Sequence, residues 1–172
     1  MDIAIKRLEA KEIESISKSF ENTVWGPIMS LLQGYLTEQV EGKRVVLVAY
    51  ADNDFAGFVT IKWQSNYPPF AEKGIPEVSD LRVLPDFRRR GIASALMDEA
   101  EKLIFKRSST VGIGVGMYAD YGPAQRMYAR RGYVPDGMGL YYKLDLVKPG
   151  QVVPVDDNLV LNLIKERGED IR

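Results

Sequence analysis

Residues 77–97 constrain this chain more than any other stretch, because they set a strand, a tight basic loop and the start of an amphipathic helix in direct succession. The spacing predicts a strand over 75–83, then the run Arg88-Arg-Arg90, then a helix opening at Gly91-Ile-Ala-Ser94. Ile92, Leu96, Ala100, Leu103 and Ile104 recur at helical spacing, with Asp98, Glu99, Glu101 and Lys102 between them. The first N–H groups of a helix have no partner inside it, and the helix dipole adds positive potential at the same end. Arg88, Arg89 and Arg90 precede that end, and Gly91, Ile92, Ala93 and Ser94 form it, with Gly91 and Ala93 small enough for close approach. Such an arrangement holds a diphosphate. Three arginines in a row also suit a plain solvated surface. A P-loop NTPase is excluded, because Ile92-Ala93 stand after Gly91 where Lys and Ser/Thr would be required.

Missing residue types narrow the chemistry. The 172 residues contain no cysteine, which removes disulfides, thiolate catalysis and Cys-bound zinc and fits a reducing, cytoplasmic setting. They contain no histidine, which removes imidazole catalysis, Ser-His-Asp triads and the common zinc-hydrolase sites. Proton transfer near neutral pH therefore falls to Glu, Asp, Tyr, Lys or water. Asp52, Asp54 and Gly57 imitate part of a calcium loop, but Trp63 stands where the bidentate Glu is needed, so no metal is expected. A net charge of −1 offers nucleic acid no global attraction. No stretch approaches the roughly 18 apolar residues of a membrane span, and the first residues lack the core of a signal peptide.

With 45% apolar and 10% aromatic residues, the chain can fill one α/β core, so residues 1–172 are expected to form a single domain. Strands are expected over 3–7, 44–50, 55–63, 75–83, 110–118, 140–146 and 158–164, the second and third joined as a hairpin at Asp52-Asn-Asp54. Helices are expected over 11–20, 28–40, from 91 onward and over 123–131, the last closed by Gly132. Tyr67-Pro-Pro-Phe70 with Lys73-Gly74 reads as an exposed loop, and 137–139 as another. Gly112, Gly114 and Gly116 share one face of their strand and leave room for something large against it. They are not a dinucleotide fingerprint, since Met117 stands where the third glycine belongs and no helix follows directly.

Two blocks carry a family resemblance. Arg88-Arg-Arg-Gly91-Ile-Ala93 resembles the Gln/Arg-x-x-Gly-x-Gly/Ala signature of the GNAT family of acyl-CoA-dependent N-acetyltransferases. Tyr121-Gly-Pro-Ala124-Gln-Arg-Met-Tyr128-Ala-Arg-Arg-Gly132-Tyr133 resembles that family's Asn-x-x-Ala-x-x-x-Tyr-x-x-x-Gly-Phe block, with Tyr121 in place of Asn and Tyr133 in place of Phe. The specific part of the likeness covers residues 77–133; the order of elements extends it over most of the chain. It implies a GNAT-type α/β fold with a mixed, mostly antiparallel sheet of about seven strands flanked by about four helices. It also implies acetyl-CoA as co-substrate, a small-molecule or peptide amine as acceptor, and it permits a homodimer.

By the same resemblance, Leu81, Arg82 and Val83 offer backbone groups to the pantetheine arm and Arg88 to Ser94 cradle the diphosphate, with Tyr121, Ala124 and Tyr128 completing the cofactor contacts. Tyr128 then attends the departing thiolate; packing inside a short helix is its other reading. Glu77 resembles the family's catalytic glutamate, with Asp80 and water as competing bases. Strand alternation puts Glu77, Ser79 and Leu81 on one face and Val78, Asp80 and Arg82 on the other. Trp25, the 63–70 stretch, Tyr118 and the 137–142 region are candidate walls for the acceptor, or ordinary packing. With no cysteine to carry an acyl group, direct transfer in a ternary complex is expected. Two other readings compete: a non-catalytic acyl-CoA sensor, and a phosphate- or RNA-binding domain built on Arg88–Arg90, which the charge balance disfavours.

Overall fold

The computed structural model describes residues 1–168, which hold eight strands and five α-helices. They divide into two compact units: Met1–Trp63 with Val78–Lys106, and Gln64–Glu77 with Arg107 onward.

The first unit contains β1 (Ile3–Arg7), α1 (Ile13–Ser19), α2 (Met29–Val40), β2 (Arg44–Ala51), β3 (Asp54–Lys62), nearly all of β4 (Glu77–Val83) and α4 (Ile92–Phe105). Its strands lie in the order β1-β2-β3-β4. The expected hairpin forms, with Ala51 opposite Asp54. Asp52 and Asn53 both take positive φ, 48° and 74°, the two-residue turn whose twist matches that of its strands. β2 is buried along almost its whole length, so it reads as a continuous apolar run rather than an alternation. Val46, Val48 and Phe58 meet Ile13, Ile16, Phe20 and Leu32 of the α1–α2 layer, with Leu84 beside them. Phe20 sits at the centre, edge-on to Trp25, Phe55 and Phe58 at 5.6–5.9 Å. Alternation turns Val45, Leu47 and Ala49, also buried, to the face that α4 covers.

β3 and β4 come unusually close. A Cβ on Gly57 would press on the Arg82 carbonyl oxygen and lie 3.0 Å from the Val83 Cα. The Leu84 amide donates to the Ala56 carbonyl at 2.9 Å, and the Thr60 hydroxyl to the Ser79 carbonyl at 2.8 Å.

The second unit contains α3 (Pro68–Lys73), β5 (Thr110–Gly116), α5 (Gly122–Arg130), β6 (Val134–Tyr142), β7 (Asp145–Leu146) and β8 (Leu159–Glu166), with strand order β5-β8-β6-β7 and neighbouring strands antiparallel. The 67–74 stretch departs from expectation. It is a helix rather than an exposed loop, with prolines in its first turn and Gly74 at φ 64° closing it. Tyr67 and Phe70 are 2% and 1% exposed and form a small core with Ile75 and Tyr141. The strand that follows begins at Glu77, not residue 75. The 137–139 loop is instead an irregularity within β6, where Gly137 and Gly139 take φ 83° and 81° and the register to β8 shifts. The expected 140–146 strand is cut at Lys143-Leu144, both at positive φ, so β7 folds back as a separate hairpin arm.

Candidate functional site

Each unit gathers its own share of the candidate residues. In the first, β4 runs through Leu81, Arg82 and Val83 into a short 3₁₀ turn at Pro85–Phe87, and the chain then reaches α4. Gly91 is the N-cap of α4 at φ 81°, and no side chain caps the helix. A Cβ on Gly91 would meet nothing within 4 Å, so the space beyond this helix start is open. Gly91 and Ser94 are exposed and Ala93 is half-buried, while Ile92 is anchored in the core at 1% exposure. Fourteen residues of helix stand behind that end. Arg89 and Arg90 are exposed beside it, Arg89 with a left-handed backbone at φ 58° and Arg90 lying over the Phe87 ring at 5.7 Å.

Arg88 turns the other way. Its Nε donates to the Val83 carbonyl at 3.3 Å, and its guanidinium lies 5.6 Å from the Trp25 ring centre. Arg82 lies at the same distance from that ring. Trp25, Arg82 and the stretch from Pro27 to Leu31, apolar except for Ser30, line a groove of about 420 Å³.

Asp80 has φ 54° in the middle of β4, a conformation that interrupts a strand and that Asp tolerates better than most residues. Its carboxylate accepts from Arg82 Nε at 2.6 Å, from Arg82 Nη2 at 3.1 Å and from the Tyr35 hydroxyl at 2.9 Å. Burial, then the Asp80 charge, push the Tyr35 phenol well above its usual range. Three donors thus sit on this one carboxylate. Asp80 and Arg82 do share a side of the strand, as alternation predicts. The role of Tyr35 carried no local signal, since 45 residues separate it from Asp80.

In the second unit, Glu77 is half-buried, and one of its oxygens accepts from the Ser65 hydroxyl at 2.5 Å. Ser65, 3% exposed, accepts in turn from the Tyr67 amide. Nothing in the sequence singled out Ser65. Tyr67 and Phe70 are core residues, so they do not serve as exposed walls for an acceptor.

Tyr128 is placed by the end of α5. The Tyr133 amide donates to the Tyr128 carbonyl at 3.0 Å and the Gly132 amide to the Ala129 carbonyl at 3.1 Å, with Gly132 at φ 89°. These paired bonds form a Schellman motif, whose usual apolar contact is here the Tyr128 and Tyr133 rings, centres 5.8 Å apart. Gly132 is thus needed for its backbone and Tyr133 for its ring, which explains the spacing Tyr128-x-x-x-Gly132-Tyr133. Tyr128 is 5% exposed. Its hydroxyl takes no hydrogen bond among the described residues. None of their sealed side-chain polar atoms lacks a partner, so the exposed remainder of Tyr128 includes that hydroxyl. Burial pushes its pKa up to about 12.

Ala124 is half-buried one turn before Tyr128 on α5. Tyr121 precedes α5 and donates to Asp157 Oδ1 at 2.8 Å; Tyr118 donates to the same oxygen, with its ring edge-on to Tyr121 at 5.1 Å. The room beside the β5 glycines is filled from within the unit. A Cβ on Gly112 would run into the Phe70 ring, one on Gly116 into the Tyr121 ring, and one on Gly114 would come within 2.8 Å of Val160.

The buried tyrosine sets a pH dependence. An unfolded tyrosine ionises near pH 10 and Tyr128 near 12. Its contribution is therefore intact below pH 10 and lost as pH rises from 10 to 12, where the unfolded chain sheds a proton that the folded chain keeps. Tyr128→Phe should remove about 2–3 kcal/mol of that alkaline loss. The check is the urea midpoint of both proteins at pH 8 and pH 11.5: the variant should be nearly level with the parent at pH 8 and more stable at pH 11.5.

Among the described residues, no helix is long and apolar enough to cross a membrane, and no group of three or more acidic side chains could hold a metal ion. Residues 10–133 match the family model for the Acetyltransferase (GNAT) family. No curated protein matches the chain significantly. Among solved structures, Ard1 from Thermoplasma volcanium superposes with a TM-score of 0.70 at 19% identity, covering 98% of this chain and 100% of its own. PaiA N-acetyltransferase from Thermoplasma acidophilum, crystallised with coenzyme A, gives 0.66 at 17% identity, covering 97% and 100%. Ribosomal-protein-alanine N-acetyltransferase from Brucella melitensis gives 0.67 at 17%, covering 95% and 99%. The fold is the one these proteins share.

Proposed function

Since the chain belongs to the GNAT acetyltransferase family, we propose that it binds acetyl-CoA and moves the acetyl group directly to a primary amine. The observation that carries this reading is the open, uncapped start of α4 at Gly91, inside the family-matched stretch. The coenzyme A in a structural neighbour supports it.

The residues present fit the cofactor. The backbone of Leu81, Arg82 and Val83 offers groups to an extended pantetheine arm, and the Val83 carbonyl, which accepts from Arg88, keeps a second lone pair for it. The amides from Gly91 to Ser94, with Arg89 and Arg90, hold the diphosphate. Tyr121 and Ala124 lie at the start of α5, with Tyr121 contributing its ring, since its hydroxyl is engaged by Asp157. Acetyl-CoA supplies the activated acyl group as a thioester. In the transfer, the amine nitrogen forms the new C–N bond, the C–S bond breaks, one amine proton leaves and sulfur departs as thiolate. Glu77, with one hydrogen-bond donor on its carboxylate where Asp80 has three, takes the proton through water. Tyr128 donates its hydroxyl hydrogen bond to the departing sulfur. Positioning supplies much of the rest, on the order of 7–11 kcal/mol in well-oriented systems.

Thermal unfolding with acetyl-CoA, against ATP and NAD as controls, tests the reading. At about 100 times Kd, bound ligand adds about 2.7 kcal/mol, a Tm rise of roughly 5–10 °C. Gly91→Val should lose that rise, because a β-branched residue at φ 81° is strained by about 1–2 kcal/mol and fills the open space. A rise that survives in the variant would move the diphosphate elsewhere. Glu77→Gln should lower kcat while the acetyl-CoA-dependent Tm rise stays; unchanged turnover removes Glu77 from proton transfer.

A further inference from the structure

The groove beside Arg82 has a charge pattern that selects among amines. Its walls are apolar on one side, from Trp25, Pro27, Ile28, Met29 and Leu31, and its one charged lining residue is Arg82. Asp80 occupies the Nε–H and one Nη2–H of Arg82, which leaves three of the five guanidinium N–H donors. The exposed Arg88 places a second guanidinium near the Trp25 ring, and among the described residues its hydrogen bond goes to a neutral carbonyl and no carboxylate pairs with it. The one carboxylate bound to this pair, Asp80, already accepts three hydrogen bonds. A ligand entering here meets apolar surface, spare guanidinium donors and a net positive charge. A second ammonium group would find repulsion and no free acid.

We propose that the acceptor is an apolar α-amino acid, its carboxylate held by Arg82 and Arg88 and its side chain lying against Trp25, Met29 and Leu31. The assignment rests on the acetyl-transfer reading and names the acceptor for it. The α-amine is the nucleophile, it loses one proton, and the product is an N-acetyl amino acid with free coenzyme A. Arg88 then serves the acceptor, which accounts for its turning back from the start of α4 toward Trp25. A groove of about 420 Å³ accommodates a molecule the size of phenylalanine or leucine.

Matched pairs that differ only in the carboxylate test this at saturating acetyl-CoA: L-phenylalanine against 2-phenylethylamine, L-leucine against 3-methylbutylamine, with spermidine as the polycation. A charge-assisted hydrogen bond predicts kcat/KM about tenfold to a hundredfold higher for the amino acid of each pair. Met29→Glu puts an acid in the groove; the lost contact of Met29 with the core is partly offset by the helix dipole, since residue 29 is the first of α2. This variant should lose the preference and gain activity on the plain amines, while its acetyl-CoA-dependent Tm rise stays the same. Equal or better turnover of the plain amines, or spermidine as the best substrate, overturns the proposal. So does a complete lack of turnover across the panel when acetyl-CoA still raises Tm. If acetyl-CoA gives no Tm rise, the acetyl-transfer reading itself fails, and this assignment with it.

Discussion

Tyr128→Phe is expected to lower kcat by about 10²- to 10³-fold and to leave acetyl-CoA affinity within about twofold. The asymmetry comes from where the ring and the hydroxyl sit. The ring is held from behind by Tyr133 and by the Schellman bonds at Gly132, none of which involves the oxygen. Phenylalanine keeps all of that packing. The oxygen is the part left without a partner. With its pKa near 12, this phenol is a weaker acid than a thiol of ordinary pKa near 8.5, so a full proton transfer to sulfur would run uphill. Its proposed contribution is a hydrogen bond that strengthens as negative charge grows on the sulfur, which is why kcat should fall and binding should not. The defect should also be constant from pH 6 to 10, since Tyr128 does not titrate there. Single-turnover rates measured beside the acetyl-CoA Kd separate the outcomes. Unchanged rates would make Tyr128 a packing residue, and a weaker Kd at constant rate would make it a binding one.

Gly57→Ala should be the most damaging small substitution in the first unit. The added methyl lands on backbone, the Arg82 carbonyl oxygen and the Val83 Cα, and backbone cannot swing aside as the end of a side chain can. β3 and β4 would have to separate at the point where the Leu84–Ala56 bond joins them. Overpacking of this kind costs about 1–3 kcal/mol and at times more. The displaced residues are those proposed to meet the pantetheine arm, so acetyl-CoA affinity should fall along with stability. Urea midpoints and acetyl-CoA titrations read both effects. A variant as stable as the parent with an unchanged Kd would mean that β4 moves freely there and does not shape the cofactor site.

What could be read from sequence alone follows from how far each cause reaches along the chain. Gly132 was legible because a C-terminal cap needs positive φ within two residues of the helix end. The Asp52-Asn53 turn was legible for the same reason, since both residue types accept that backbone. The 67–74 stretch was misread because six helical residues are too few to display a 3.6-residue period, although Pro68, Pro69 and Gly74 mark its ends. The break at Lys143-Leu144 was hidden because neither residue favours the positive φ it adopts. The Asp80 conformation was hidden too, because its partners Tyr35 and Arg82 are set by the fold, with Tyr35 far away in sequence. The three β5 glycines were correctly placed on one face. Sequence could not say that the chain's own Phe70 and Tyr121 would cover two of them.

That cover ties the side-chain volumes of separate positions together. Gly112 and Phe70, and likewise Gly116 and Tyr121, each divide one fixed volume between a strand and a ring. Bulk can pass from one member to the other but cannot be added to either alone. At these four positions a methyl added to the strand should therefore be accommodated only beside a trimmed ring.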